Sequence, residues 1–129
     1  MKGLRVYKSV THIHDSEYKI KVHLINTSKD SLTKLQVIEV LPRLMHPNRD
    51  YGTLRPESVK HGIRGHKMIW EIHTLLPKEE RIISYNVRSR MYMVGNLMLP
   101  ATLVKYYKKS KRLKVKSNRL PVITGLIKE

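Results

Sequence analysis

The stretch Trp70-Glu71-Ile72-His73-Thr74-Leu75-Leu76-Pro77-Lys78-Glu79-Glu80-Arg81-Ile82-Ile83-Ser84-Tyr85-Asn86-Val87 decides the fold. Trp70 and Ile72 flank Glu71, the alternation of a strand with one face in a core. Leu76-Pro77-Lys78-Glu79-Glu80 is a polar turn, and Arg81 to Val87 is a β-branched and aromatic run that reads as the next strand. Gly95 then leads into Leu99-Pro100-Ala101. Strand, tight turn, strand, glycine turn, strand is the pattern of an antiparallel β-sandwich.

Working outward, Leu4 to Val10 alternates apolar and polar residues and predicts a first strand. His12–Ser16 reads as the turn that follows, with Asp15-Ser16 at its corner. Tyr18, Ile20, Val22 and Leu24 alternate with Lys19, Lys21 and His23, the cleanest period of two in the chain. That strand ends in the turn-forming cluster Asn26-Thr27-Ser28-Lys29-Asp30-Ser31. Leu35 to Leu41 predicts a third strand stopped by Pro42. The prolines, Asn48, Asp50 and Gly52 of residues 42–53 predict a long loop. Leu54 to Val59 reads as an edge strand because Pro56 cannot donate to a ladder. His61 to His66 is a glycine-punctuated turn, and Gly95-Asn96 another. Leu99–Tyr107 and Leu113–Lys116 predict a hairpin joined by Lys108 to Arg112. No segment of helical period stands out. The expectation is a single all-β domain over residues 1–129, with its core over 4–118 and 119–129 as a last strand or exit segment.

Composition bounds the function. With no Phe, one Trp and seven Tyr, the core must rest on Leu, Ile, Val and Met around Trp70. The absence of Cys excludes disulfides, thiolate nucleophiles and cysteine-based metal centres. No apolar run approaches a membrane-spanning helix, and residues 1–8 lack the apolar stretch of a signal peptide. The expectation is a cytoplasmic protein or an excised domain of a surface protein. Abundant Lys with scarce Gln fits a thermophile.

Charge is the strongest compositional signal. Lys plus Arg number 26 against 10 acids, a formal net charge of +16. Residues 81–128 hold twelve basic residues and no acid. Such a field attracts polyanions: nucleic acid, anionic head groups or an acidic protein. Lys105, Lys108, Lys109, Lys111, Arg112, Lys114, Lys116 and Arg119 are interleaved with Tyr106 and Tyr107, and Arg88 and Arg90 precede them. Cations neutralise phosphates and exposed tyrosines stack on unpaired bases, so these residues form a candidate anion-binding or partner-binding set. The bland alternative is a solvated hairpin whose lysines protect a sheet edge from mispairing.

Taken in order, Ile25-Asn26-Thr27-Ser28, Leu35 to Pro42, Trp70-Glu71-Ile72, Leu76-Pro77-Lys78-Glu79, Ile83-Ser84-Tyr85-Asn86-Val87, Gly95, Leu99-Pro100-Ala101 and Ser117-Asn118 carry a resemblance. Over residues 17–118 the chain resembles the immunoglobulin-like "conserved repeat" domains of archaeal and bacterial surface proteins. The resemblance implies a two-sheet antiparallel immunoglobulin-like sandwich and a non-catalytic structural or protein-interaction module. The family turn usually has Gly where this chain has Lys78, and the family is usually acidic and exported.

Other chemistry is thinly supported. His12 and His14 share a strand face with His23 on the next strand, a loose match to a zinc or copper site. His61, His66 and His73 flank the Trp70 strand without a nucleophile motif. Glu79 and Glu80 are adjacent and point apart, and no phosphate-cradling glycine pattern occurs. Asn26-Thr27-Ser28 matches a glycosylation sequon that its turn role already explains. The reading is therefore no enzyme, no cofactor and no small-molecule substrate. The expected partner is an acidic protein or anionic membrane surface, with nucleic acid as the alternative.

Overall fold

Alternation along the chain is realised as an all-β, two-sheet antiparallel sandwich. The computed structural model describes residues 3–14, 17–43, 45–51, 54–63, 65–89 and 95–124. Among them are eleven strands and no helix. The strands are β1 (Leu4–His14), β2 (Glu17–Asn26), β3 (Leu32–Pro42), β4 (Met45–Tyr51), β5 (Ser58–Gly62), β6 (Gly65–Leu75), β7 (Glu80–Ser89), β8 (Gly95–Leu99), β9 (Leu103–Lys108), β10 (Lys111–Lys116) and β11 (Leu120–Thr124). A four-stranded sheet has the order β1-β2-β7-β4 and faces a five-stranded sheet, β10-β9-β3-β6-β5. β8 and β11 form a separate ribbon. No helix long and apolar enough to cross a membrane occurs among the described residues.

The inward row of each strand makes one core. Ile20, Val22 and Leu24 from β2, Val37 and Leu41 from β3, Met68 and Trp70 from β6, and Ile83, Tyr85 and Val87 from β7 have no exposed surface. The Trp70 ring lies 5.5 Å from that of Tyr85. Its indole N–H is satisfied by donating to the Leu54 carbonyl at 2.8 Å, as a buried donor must be.

Several predicted elements differ. His12 to His14, predicted as turn, continue β1, and Asp15-Ser16 lie outside the described residues. The edge strand predicted over Leu54 to Val59 is β5, Ser58–Gly62, and the turn predicted over His61 to His66 narrows because His61-Gly62 end β5 and Gly65-His66 begin β6. Residues 45–51, predicted as loop, form β4 at the edge of the four-stranded sheet, with Pro47 opposite Val87. An edge strand tolerates proline because its outer N–H needs no ladder partner, and the register shifts after Pro47. Gly95-Asn96, predicted as a turn, begins β8 opposite Ile123 and Thr124. The basic turn predicted over Lys108 to Arg112 shrinks to Lys109-Ser110, because Lys111 and Arg112 pair with Lys108 and Tyr107. Both turn residues have positive φ (50° and 68°), the type I′ geometry that follows strand twist. The glycine turn before β6 has a steric cause. Gly65 has φ +145°, and a Cβ there would lie 2.1 Å from the Leu41 carbonyl oxygen.

A buried polar knot ties the two sheets together. Lys8, inward on β1, and Glu39, inward on β3, are both 0 % exposed at the side chain. Lys8 Nζ donates to both Glu39 carboxylate oxygens at 3.0 and 2.9 Å and to the Pro100 carbonyl at 3.0 Å. The Thr102 hydroxyl donates to Glu39 at 2.5 Å, and the Tyr85 hydroxyl donates to its other oxygen. Burial first, then the Glu39 charge and this hydrogen bond, push the Tyr85 phenol well above its ordinary value. Asn118 closes the adjacent edge by accepting from Lys8 N at 2.9 Å and donating to Lys8 O at 3.2 Å.

The motif residues of the resemblance have structural work here. Asn26 is fully buried, and its amide donates to the Asp30, Leu75 and Leu76 carbonyls at 2.8–3.1 Å. Its side-chain oxygen accepts from Ser28 N and Oγ. In this fold the sequon asparagine is committed to stapling β2 to the β6–β7 turn. That turn closes with Glu79 N donating to Leu76 O, and Lys78 stands at φ 65° where the resemblance has Gly. Pro at the second position and positive φ at the third are the demands of a type II turn.

Candidate functional site

Pairing register decides which cations share a surface. On β9, Lys105 and Tyr107 are half-buried and face away from the core, while Tyr106 between them is 2 % exposed and packs inside. Burial raises the Tyr106 hydroxyl, partly offset by the Gly3 backbone. On β10, Arg112, Lys114 and Lys116 stand opposite Tyr107, Lys105 and Leu103. They share the outer face of the five-stranded sheet with Lys67 of β6 and Lys60 of β5, themselves a cross-strand pair. A row of half-buried apolar side chains, Leu103, Ile38 and Ile69, crosses this face from β9 through β3 to β6.

Beside that row lies a depression of about 520 Å³ lined by Lys34, Gln36, Glu57, Glu71, His73, Lys105, Tyr107 and Arg112, among others. Lys34 sits in a bulge of β3 with φ 51°, and the bulge turns its ammonium over the Tyr107 ring, 5.6 Å from the centroid. Lys34 carried no signal in the sequence, because neither alternation nor clustering marks a bulge.

The remaining candidates scatter. Arg88 lies on β7 of the opposite sheet, beside Glu17 at 3.5 Å, so the structure does not bring it to the hairpin. Arg90 lies outside the described residues. Lys109 at the hairpin tip reaches Asp30 at 3.7 Å. Lys108 stands opposite Lys111 at the base of the turn, and Arg119 is exposed in the segment before β11. Of the aromatic pair, Tyr107 alone faces outward.

The first histidine set is separated by register. His12 is opposite Tyr18 and His23 opposite Tyr7, five residues apart along β1, and a register shift intervenes between His12 and His14. His23 stacks on Tyr7 with ring centroids 4.4 Å apart and lies 3.6 Å from Glu80. Among the described residues, no group of three or more His, Asp or Glu side chains could hold a metal ion.

A different set converges. His61 and His66 face each other across the β5–β6 hairpin, Nδ1 to Nδ1 at 2.6 Å. His46 reaches the same point from β4 of the other sheet, its ring 4.7 Å from His66. His66 is 5 % exposed, and burial, followed by the neighbouring His46 and His61, holds its ring below the ordinary histidine value. The Arg43 backbone offsets part of this. His73 lies on the outer face instead, so the sequence grouped the wrong third histidine.

No protein-family model and no curated protein matches the chain. Solved structures do. The exo-β-N-acetylglucosaminidase of Vibrio harveyi aligns at TM-score 0.60 and 10 % identity, over 99 % of this chain and 20 % of the enzyme. The chain thus spans about one fifth of that protein. The GAE domain of GGA2p from Saccharomyces cerevisiae aligns at TM-score 0.59 and 12 % identity, over 95 % of this chain and 91 % of the domain. At such identities the likeness is one of fold, an all-β sandwich.

Proposed function

We propose that the chain is a non-catalytic, immunoglobulin-like interaction module of the conserved-repeat type. In this reading it docks an acidic protein segment on the outer face of its five-stranded sheet. The observation that carries the proposal is the apolar row Leu103-Ile38-Ile69 flanked by Lys105, Lys114, Lys116, Lys60 and Lys67, with Glu71 on the same outer face while Glu39 of β3 points into the core. Apolar side chains left half-exposed on a sheet face and rimmed mainly by one sign of charge suit a partner carrying the opposite sign and an apolar residue or two. The net charge of +16 would speed such an encounter. The likeness to a segment of a larger glycosidase chain supports a module role, since the fold serves there as one part of a whole.

A protein segment is favoured over nucleic acid because Tyr106 is inside, leaving one outward tyrosine rather than a stacking pair. The test is fluorescence anisotropy with a labelled Glu/Leu peptide, single-stranded RNA and phosphatidylserine vesicles, run against salt. The peptide should bind most tightly, and the triple charge reversal Lys105→Glu/Arg112→Glu/Lys114→Glu should abolish binding. Ile38→Ser should weaken binding without changing its salt dependence. Tighter binding of RNA or vesicles than of the peptide, or full affinity in the triple variant, overturns the proposal.

A further inference from the structure

We propose that the depression on the outer face of the five-stranded sheet takes the phosphate monoester of a phosphorylated side chain, held by Lys34, Lys105 and Arg112. This inference rests on the docking surface proposed above and names a group that its protein partner carries. Two observations meet here. First, the three cations line one depression of about 520 Å³. Among the described residues none of them forms an ion pair, although Glu57 and Glu71 line the same depression. Second, Lys34 is held there against its backbone preference. Its φ of 51° lies in the left-handed region, which a residue with a Cβ enters against steric resistance. The register shift between Thr33 and Gln36 contains it, and its Nζ stands 5.6 Å from the Tyr107 ring centroid. A bulge that re-aims a charge at the expense of strain points to a use for that charge.

Pairing register gives the depression a polarity. Lys114, Lys105, Gln36 and Glu71 form one row across β10, β9, β3 and β6, and the sign of charge changes at Gln36. Strands about 4.8 Å apart put roughly 10 Å between the Lys105 and Glu71 backbones. An anion is therefore drawn to the β9–β10 end and repelled from the β6 end.

A phosphate monoester brings a charge of about −1.5 to −2 and three acceptor oxygens to one point. Arg112 offers a planar fork of donors, and Lys34 and Lys105 offer point charges, a set that suits those oxygens. The Tyr107 ring beneath Lys34 gives its ammonium a seat before any ligand arrives. The two acids favour a terminal group over a polyanionic strand. A nucleic-acid backbone running on across the sheet would meet Glu71 and Glu57, whereas a side chain that ends among the cations stops short of them.

The experiment is fluorescence anisotropy with three labelled Glu/Leu peptides that differ at one central position, which is phosphoserine, glutamate or serine. Single-stranded RNA is the fourth probe. The phosphoserine peptide should bind about tenfold or more tighter than the glutamate peptide, the worth of one further charge-assisted hydrogen bond. Lys34→Asn should erase that advantage, and asparagine accepts positive φ, so the bulge is kept. Arg112→Gln should reduce it, and Lys19→Gln, on β2 of the opposite sheet, should leave it unchanged. Equal affinity for the phosphoserine and glutamate peptides, or an advantage that survives Lys34→Asn, overturns the phosphate site and leaves the docking surface standing. Failure of all three peptides to bind overturns both. RNA binding tighter than that of the phosphoserine peptide overturns the assignment to a protein side chain.

Discussion

Lys8 and Lys114 are the same residue in two energetic regimes. Lys8 is wholly buried, with its ammonium held by a carboxylate and a carbonyl and its backbone clasped by Asn118. Lys114 stands exposed on the outer face of an edge strand with Lys105 as its cross-strand neighbour. Inside, a charge is tolerable only with every partner in place, so it fixes how β1 lies against β3. Outside, water solvates the charge, so it contributes little to folding and is available to a partner. Fold and proposed binding therefore draw on lysine in separable ways, and mutation should separate them.

The largest effect should come from breaking the inner pair. Glu39→Leu leaves Lys8 as an unpaired buried cation and strips the Tyr85 and Thr102 hydroxyls of their acceptor, at a loss of about 3–5 kcal/mol in chemical denaturation. Lys8→Met/Glu39→Leu together should restore much of that, because removing both charges removes the desolvation penalty. A single variant no worse than the double would mean that the knot does not behave as an ion pair.

Alkali tests the same knot without mutation. The Tyr85 phenol is raised above 10.0 in the fold, by burial first and the Glu39 charge second. A raised folded value means the unfolded chain gives up the proton first. Its contribution is then complete below about pH 10 and is lost as pH rises towards the folded value. Tyr18, raised by burial, acts in the same direction. Melting temperature should fall above pH 10, and Tyr85→Phe should blunt that fall.

Much of the fold was legible because alternation is a local signal. Tyr18 to Leu24 and Trp70 to Ile72 bury the side the pattern assigned to the core, and Leu35 to Leu41 lies within the strand it predicted. β4 escaped because prolines and turn formers masked an edge strand whose pairing is supplied by β7, a tertiary effect. Glu39 and Lys8 escaped for a related reason. Each occupies an inward position, but no local pattern tells a buried ion pair from a polar interruption. The outer-face cations were visible as a cluster, but their sorting was not. Tyr106 turns inward and Arg88 falls on the other sheet because register, unlike composition, is set by long-range pairing. The histidine trio joins β4, β5 and β6 across both sheets, so only the assembled sandwich brings His46 to His66.

Turns sit between the two regimes, exposed yet constrained. Lys78, Lys109 and Ser110 occupy positive φ, which disfavours any side chain by roughly 1–2 kcal/mol. Glycine removes that strain but loses more chain entropy, so the net gain should be about 0.5–1 kcal/mol for Lys78→Gly or Ser110→Gly. Calorimetry should read each as a small rise in melting temperature. No rise for Lys78→Gly would mean that its ammonium, which donates to the Thr27 carbonyl at 3.1 Å, offsets the strain.

The smallest effect on stability is expected where the proposed effect on binding is greatest. Lys114→Glu faces solvent and removes one member of a like-charged pair with Lys105. Like charges opposite one another are unfavourable, so the substitution should leave melting temperature unchanged or raise it slightly, more so at low salt. The same variant should lose affinity for the acidic peptide. A surface kept for solubility alone gives no reason for that loss. A clear drop in melting temperature would mean that Lys114 holds the sheet together rather than facing outward for a partner, and would erase the distinction from Lys8.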